Sequence, residues 1–282
     1  MSAIDAILQP FFEYAFMRQA LLVMALLSLS AAPLGVLLVL KRLSLVGDTL
    51  SHAMLPGVAG AFALFGMNVL ALSIGAMLMA VLGGLLAGLV ARKTALGEDA
   101  SFAAFYLISL AAGVCLMAAF GNNNDILHFL FGNLLAVPDG YTLWLGGVSA
   151  ASLLIFAFGA RGFLAEAFDP AYVQMHPGYG KFYYVLFLGV FVVNLVVAFF
   201  AIGTLLAMAI FLLPAIISRI FHKSWQGMIL SSLILALVAG WAGLLLSFYA
   251  NLPAGPAIVL VLGIFYFMGL LSQIRSVFKF SA

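Results

Sequence analysis

Charge is what this sequence has least of. Asp, Glu, Lys and Arg make up 7% of its 282 residues, where a soluble domain carries roughly 25%. With 66% hydrophobic residues and a mean hydropathy of +1.27, the chain cannot cover itself with a water-compatible surface, which excludes a soluble fold. No polar stretch is long enough to be a separate soluble domain, so residues 1–282 read as a single transmembrane domain. The formal net charge of +2 is dispersed, and no basic run suits nucleic acid. Cys115 is the one cysteine, in the apolar run "LAAGVCLMAAF"; it excludes an internal disulfide and reads as a small buried hydrophobe. The N-terminal "MSAIDAILQPFFEY" has no basic leader, and the apolar run after Arg18 is too long for a signal-peptide core, so the chain is expected to begin with a true span. No Ser/His or paired-Asp constellation forms a recognisable motif, which leaves an intramembrane enzyme the weaker rival reading.

Long apolar runs are what the chain does have. A spanning helix needs about 20 mainly apolar residues, and such runs fall near 14–40, 46–66, 67–91, 101–120, 140–159, 182–201, 203–221, 225–249 and 255–274. Several joins are short, so the expectation is an all-α polytopic integral membrane protein with eight or nine transmembrane helices. Lys41–Arg42, Arg92–Lys93, Arg161, Lys181, Arg219, Lys223, Arg275 and Lys279 all fall at span ends or loops. Placing those loops in the cytoplasm satisfies the positive-inside bias. With nine spans the N-terminus is then outside and the C-terminus inside, Arg18 being the exception. The alternate loops "GNNND" (121–125) and "YANLPAG" (249–255) carry no Lys or Arg.

The segment "ARGFLAEAFDPAYVQMHPGYGK" (160–181) is too polar for a span and too short for a domain. One or two short surface helices there would suit a docking element for a cytoplasmic partner; a plain connecting loop accounts for it equally well. Small residues at four-residue spacing in "GGLLAG" (83–88) and "GVAGAFALFG" (57–66) allow close helix approach. Pro33, Pro56 and Pro214 lie in or beside apolar runs, as in the broken helices from which transporters build substrate sites.

The stretch "VGDTLSHAMLPG" (46–57) places an acid inside this apolar frame. The other eight acidic residues (Asp5, Glu13, Glu98, Asp99, Asp125, Asp139, Glu166 and Asp169) lie in loops or near span ends; Asp48 does not. A charge at a membrane helix centre costs about 2.5–3.5 kcal/mol on insertion scales. His52 lies four residues on, hence on the same helix face. A carboxylate beside an imidazole suits Zn, Mn or Fe better than Ca or Mg. Three other readings stand: a hydrogen bond that locks packing, an Asp48 helix cap after Gly47, and a proton relay. Two ligands make an incomplete site, but two copies of the chain on a twofold axis would supply four from one motif. Asp125 and His128 fit a solvated outer loop or cap, and His176 and His222 fall in cytoplasmic segments that need no metal. The methionines read as core or lipid contacts.

The stretch "LKRLSLVGDTLSHAMLPGVAGAF" (40–62) closely resembles the signature of permease subunits of bacterial zinc/manganese/iron ABC importers. "HFLFGNLLAV" (128–137), "AFDP" (167–170), "GTLLAMAIFLLPAIISR" (203–219) and "PAGPAIVLVL" (253–262) follow in the family's order. The resemblance implies a homodimeric helical pore with broken helices in the bacterial cytoplasmic membrane. It further implies a cytoplasmic ATP-binding subunit, an extracytoplasmic metal-binding protein that delivers the ion, and surrounding lipid. Asp48 and His52 match the family's Asp and His associated with the metal path. Phe168, Asp169, Pro170, Ala171 and Met175 match the coupling region seated on the ATPase. No G-x-x-x-x-G-K-[ST] occurs, so nucleotide binding and hydrolysis are expected on another polypeptide. No permanently bound cofactor is implied, only a transported dication. Asn251 stands where the family commonly has an acid, and "ASFAAFYLIS" follows Glu98–Asp99 where a Thr and an Ile-Gly pair are usual. The alternative is a proton-coupled secondary metal transporter or channel, using the same Asp/His pair without an ATPase.

Overall fold

The computed structural model describes residues 3–95, 98–120, 132, 134–168 and 179–280, and every helix or strand among them is helical. In chain order the α-helices are α1 (Ala3–Glu13), α2 (Ala15–Leu40), α3 (Ser44–Phe65), α4 (Val69–Lys93), α5 (Glu98–Phe120), α6 (Asp139–Phe168), α7 (Tyr179–Phe221), α8 (Trp225–Ala250) and α9 (Ala254–Phe280). A short 3-10 turn, Leu134–Ala136, precedes α6.

Seven of these helices are long and apolar enough to cross a membrane, against the eight or nine expected. The difference lies in α7 and α3. Gly203, at φ 77° and ψ 168°, interrupts α7 in a conformation that glycine alone adopts readily. Phe191 and Phe211 flank that residue, and their ring centroids are 5.4 Å apart. A straight helix would separate them by about 30 Å. The two halves, 179–202 and 204–221, are therefore folded back on each other as a hairpin with Gly203 at its tip. Gly132, at φ 65°, lies against the Ile202–Gly203 backbone so closely that a Cβ there would overlap it. The prolines break nothing comparable: Pro33 and Pro56 lie within continuous helix, and Pro214 within the second half of α7. The other difference, α3, is diluted by Asp48, Thr49, Ser51 and His52.

Burial is concentrated on α2 and the α7 hairpin. Phe187, Phe191, Phe199 and Phe211 are fully buried together with Met17, Met24 and Leu27. Around this core α2 packs on α6, α7 and α8, while α9 packs on α7 and α8. Helices α4 and α5 embrace α3, which meets the rest of the molecule mainly through α7. Small residues set the close crossings. A Cβ on Gly35 would strike the Phe211 carbonyl, one on Gly57 the Gly75 carbonyl, and one on Gly113 the Leu55 side chain. Within "GGLLAG", Gly83 and Gly84 meet Ala53 and Leu50, whereas Gly88 faces open space.

Three expectations change here. Helix α6 runs on through Phe168, so 160–168 continue the preceding helix rather than forming a separate short surface helix or a loop, and Phe168 is exposed at its end. Cys115 is exposed, not buried, because α5 packs mainly on α3 and α4 and turns most of its apolar residues outward. The N-terminal residues before the first span form the amphipathic helix α1. Arg18, out of place by the charge rule, donates to the Phe12 carbonyl at the end of α1 at 2.8 Å.

Candidate functional site

Asp48 lies in the second turn of α3. The cap position is Leu43 and the helix starts at Ser44, so Asp48 is not an N-cap. Its backbone carbonyl accepts from the Ser51 hydroxyl at 2.7 Å. Thr49, one residue on, donates to the Leu45 carbonyl and also lies 2.9 Å from the Phe102 carbonyl of α5. On the other side Gly47 leaves room for Met208 and Phe191, whose atoms lie 2.9 and 3.3 Å from where its Cβ would be. These contacts fix the rotation of α3 and turn Asp48 toward the second half of α7. There Ser44, Leu45, Asp48, Met208, Ala209, Leu212 and Leu213 line a cleft of about 280 Å³.

His52 faces the same way, with its Nε2 3.7 Å from Asp48 Oδ1. That is an ion-pair distance, too long for a hydrogen bond. The buried Nδ1 has no hydrogen-bond partner among the described residues. The ring is held edge-on to Tyr106 of α5, centroids 4.7 Å apart. The imidazole is thus positioned by packing, with Nε2 turned to the Asp48 carboxylate and Nδ1 left without a partner, an unusual state for a buried polar atom. The Asp48 side chain is 42% exposed and that of His52 17%. In a lipid-embedded chain a half-exposed carboxylate requires a polar pathway or another polar surface over it. A direct hydrogen bond that merely locks the pair is absent. An arrangement of one carboxylate and one free imidazole can hold a transition-metal dication or relay a proton.

Asp48 and His52 are the predicted site residues that the structure brings together. Among the described residues no group of three or more His, Cys, Asp and Glu gathers at one point. His222 is exposed at the end of α7. Asp125, His128 and His176, and Asp169, Pro170, Ala171 and Met175 of the expected coupling region, lie outside the described residues. Asn251 is the left-handed C-cap of α8 at φ 52°, a position that asparagine tolerates better than most residues. The sequence reading missed the participation of α7: Met208 and Leu212 stand at apolar helix positions that any core residue could occupy, and Gly203, which folds them toward α3, looks like an ordinary glycine at the start of a span.

Comparison with known proteins agrees with this architecture. Residues 13–273 match the model of the ABC 3 transport family. The manganese import system permease protein ScaB of Streptococcus parasanguinis is 31% identical over 255 residues, 90% of this chain and 89% of that protein. The chelated iron transport system membrane protein YfeD of Yersinia pestis is 28% identical, covering 96% of this chain and 90% of that one. Among solved structures, PsaBC from Streptococcus pneumoniae in complex with Fab superposes with a TM-score of 0.82 at 28% identity, over 94% of this chain and 95% of that chain. A membrane chain with this helical order, matched over nearly its whole length, belongs to the ABC 3 transport family.

Proposed function

We propose that the chain is the membrane permease of an importer for a divalent transition-metal ion, manganese or iron before zinc, in a bacterial cytoplasmic membrane. Residues 1–282 form one transmembrane domain that pairs with a second copy. A separate subunit hydrolyses ATP, and an extracytoplasmic protein delivers the ion. The observation that carries this reading is the pairing of a cleft-lining Asp48 with His52, whose Nε2 lies 3.7 Å from the carboxylate and whose buried Nδ1 makes no hydrogen bond among the described residues. A dication passing the cleft gains an oxygen and a nitrogen ligand and neutralises a carboxylate that is otherwise costly in lipid. The preference for manganese or iron rests on the relatives named for those ions. Coupling to the ATPase falls to the chain around Phe168, Asp169, Pro170, Ala171 and Met175.

The test is accumulation of Mn, Fe and Zn, each counted separately, in cells expressing the complete system. Asp48→Ala and His52→Ala should lower uptake of one ion by about tenfold or more, with membrane levels unchanged. Uptake that survives both substitutions would reduce the pair to packing residues. Uptake that survives loss of the ATPase subunit would favour the proton-coupled reading.

A further inference from the structure

The cytoplasmic end of α2 is held from several sides. Lys41, its C-cap residue, forms an ion pair with Glu166 of α6, and their side chains are only 5% and 16% exposed. The Lys41 ammonium also sits over the rings of Phe187, 4.5 Å from the centroid, and Tyr184, at 5.5 Å. Burial pushes its pKa down to about 8. Arg219, near the end of α7, donates to the Val39 carbonyl at 2.9 Å. Glu166 lies two residues before the end of α6, where its charge opposes the helix dipole, whereas a cation suits the end of α2. Lys41 therefore satisfies both helix ends at once.

Position along the chain gives this cluster its meaning. Glu166 lies just before residues 169–178, and Tyr184 and Phe187 lie just after them. Lys41 is separated from Ser44, the first residue of α3, by two residues, one of them Arg42 in left-handed backbone at φ 59°. The turn is short and tightly bonded: Leu43 N–H donates to the Leu38 carbonyl at 2.9 Å, and Gly47 N–H to the Leu43 carbonyl at 3.2 Å. A displacement of either flank of 169–178 thus reaches the start of the Asp48 helix through one side chain.

We propose that Lys41 is the positioning residue that links the flanks of the ATPase-coupling segment to the metal-bearing helix α3, through its ion pair with Glu166 and its contact with Phe187. The inference rests on the importer reading above. Lys41 touches no ion; it sets where α3 sits when the flanks of the coupling segment move.

The experiment uses the complete transporter, permease with its ATPase and delivery protein, in proteoliposomes. Mn2+ uptake and ATP hydrolysis are measured on the same vesicles. Lys41→Met and Glu166→Gln should each lower maximal Mn2+ uptake about fivefold or more. Hydrolysis should stay within about twofold of wild type and the half-saturating Mn2+ concentration should not change, so that more ATP is consumed per ion moved. Lys41→Arg keeps the charge and the contact with the Phe187 ring, and should restore most of the uptake. Uptake and hydrolysis falling together, or uptake unaffected in Glu166→Gln, would overturn the proposal, as would failure of Lys41→Arg to rescue. Asp48→Ala in the same vesicles separates the two readings. If wild-type uptake depends on ATP and on Asp48 but not on Lys41 and Glu166, the relay alone fails. If wild-type vesicles show no ATP-driven uptake, the importer reading fails and the relay with it.

Discussion

Gly132 and Gly203 meet at the tip of the α7 hairpin, and both are in positive-φ backbone. An alanine at 132 would carry the strain of that backbone and also a Cβ overlapping the Ile202–Gly203 peptide. Backbone strain of this kind costs about 1–3 kcal/mol before any overlap is counted. Gly132→Ala should therefore lower the thermal unfolding midpoint of the purified permease in detergent. Gly60→Ala, with nothing within 4 Å of its Cβ and no unusual φ, should leave the midpoint unchanged or raise it. An equal loss in the two variants would mean that Gly132 is not held against the hairpin tip. At this scale the sequence was legible where chemistry is costly and silent where it is cheap. Asp48 announces itself because few reasons justify an acid in an apolar run, and His52 follows from its spacing. The rotation of α3 that aims both at the cleft depends on Gly47 giving way to Met208 and Phe191, residues that are far apart in the chain and ordinary in themselves.

The crossing of α3 and α4 is an element-scale device. Gly57 and Gly75 bring the two backbones together, with Met79 alongside, so a side chain at 57 must push the helices apart. Without a hydrophobic driving force between helices in lipid, such contact is what holds them. Overpacking a tight site costs about 1–3 kcal/mol or more. Gly57→Val should accordingly reduce the monodisperse protein recovered in size-exclusion chromatography, whereas Gly88→Val, facing open space on α4, should not. Equal recovery of both would sink the crossing as a stabilising contact. The small-residue pattern in the sequence pointed to this region, yet it could not separate Gly57 and Gly83, which are contacted, from Gly60 and Gly88, which are not. Long apolar runs likewise located the helices but not their ends. Helix α6 continues to Phe168 because "RGFLAEAF" is good helix sequence, which only the lack of apolar length argued against. The amphipathic α1 went unread because it is too short for a span. The two halves of the hairpin were legible as adjacent spans with almost no connection between them, but that the chain folds back through a positive-φ Gly203 was not.

At the scale of the whole molecule, the number of ligands limits what one chain can do. Asp48 and His52 offer one oxygen-bearing and one nitrogen-bearing side chain, and no further His, Cys, Asp or Glu joins them among the described residues. A transition-metal dication commonly takes four to six donors, so about half of the shell must come from water or a second chain. Half-exposure of Asp48 in the single chain gives the same indication, since a carboxylate open to lipid is expensive. A second copy on a twofold axis would meet both needs, because the same motif would then face itself across the cleft. Two copies joined in one polypeptide through an added spanning helix, which returns the chain to the side of its N-terminus, make this testable, with Asp48→Ala placed in neither, one or both halves. If four side chains share one ion, a single altered half should lower Mn2+ uptake nearly as far as two, by about tenfold or more, because the remaining pair cannot complete the shell. If each chain moves its own ion with water as the other ligands, the one-sided variant should keep about half of the wild-type uptake, since independent sites contribute additively. The first outcome makes the cleft one half of a shared site, and the second makes it a complete path in each chain.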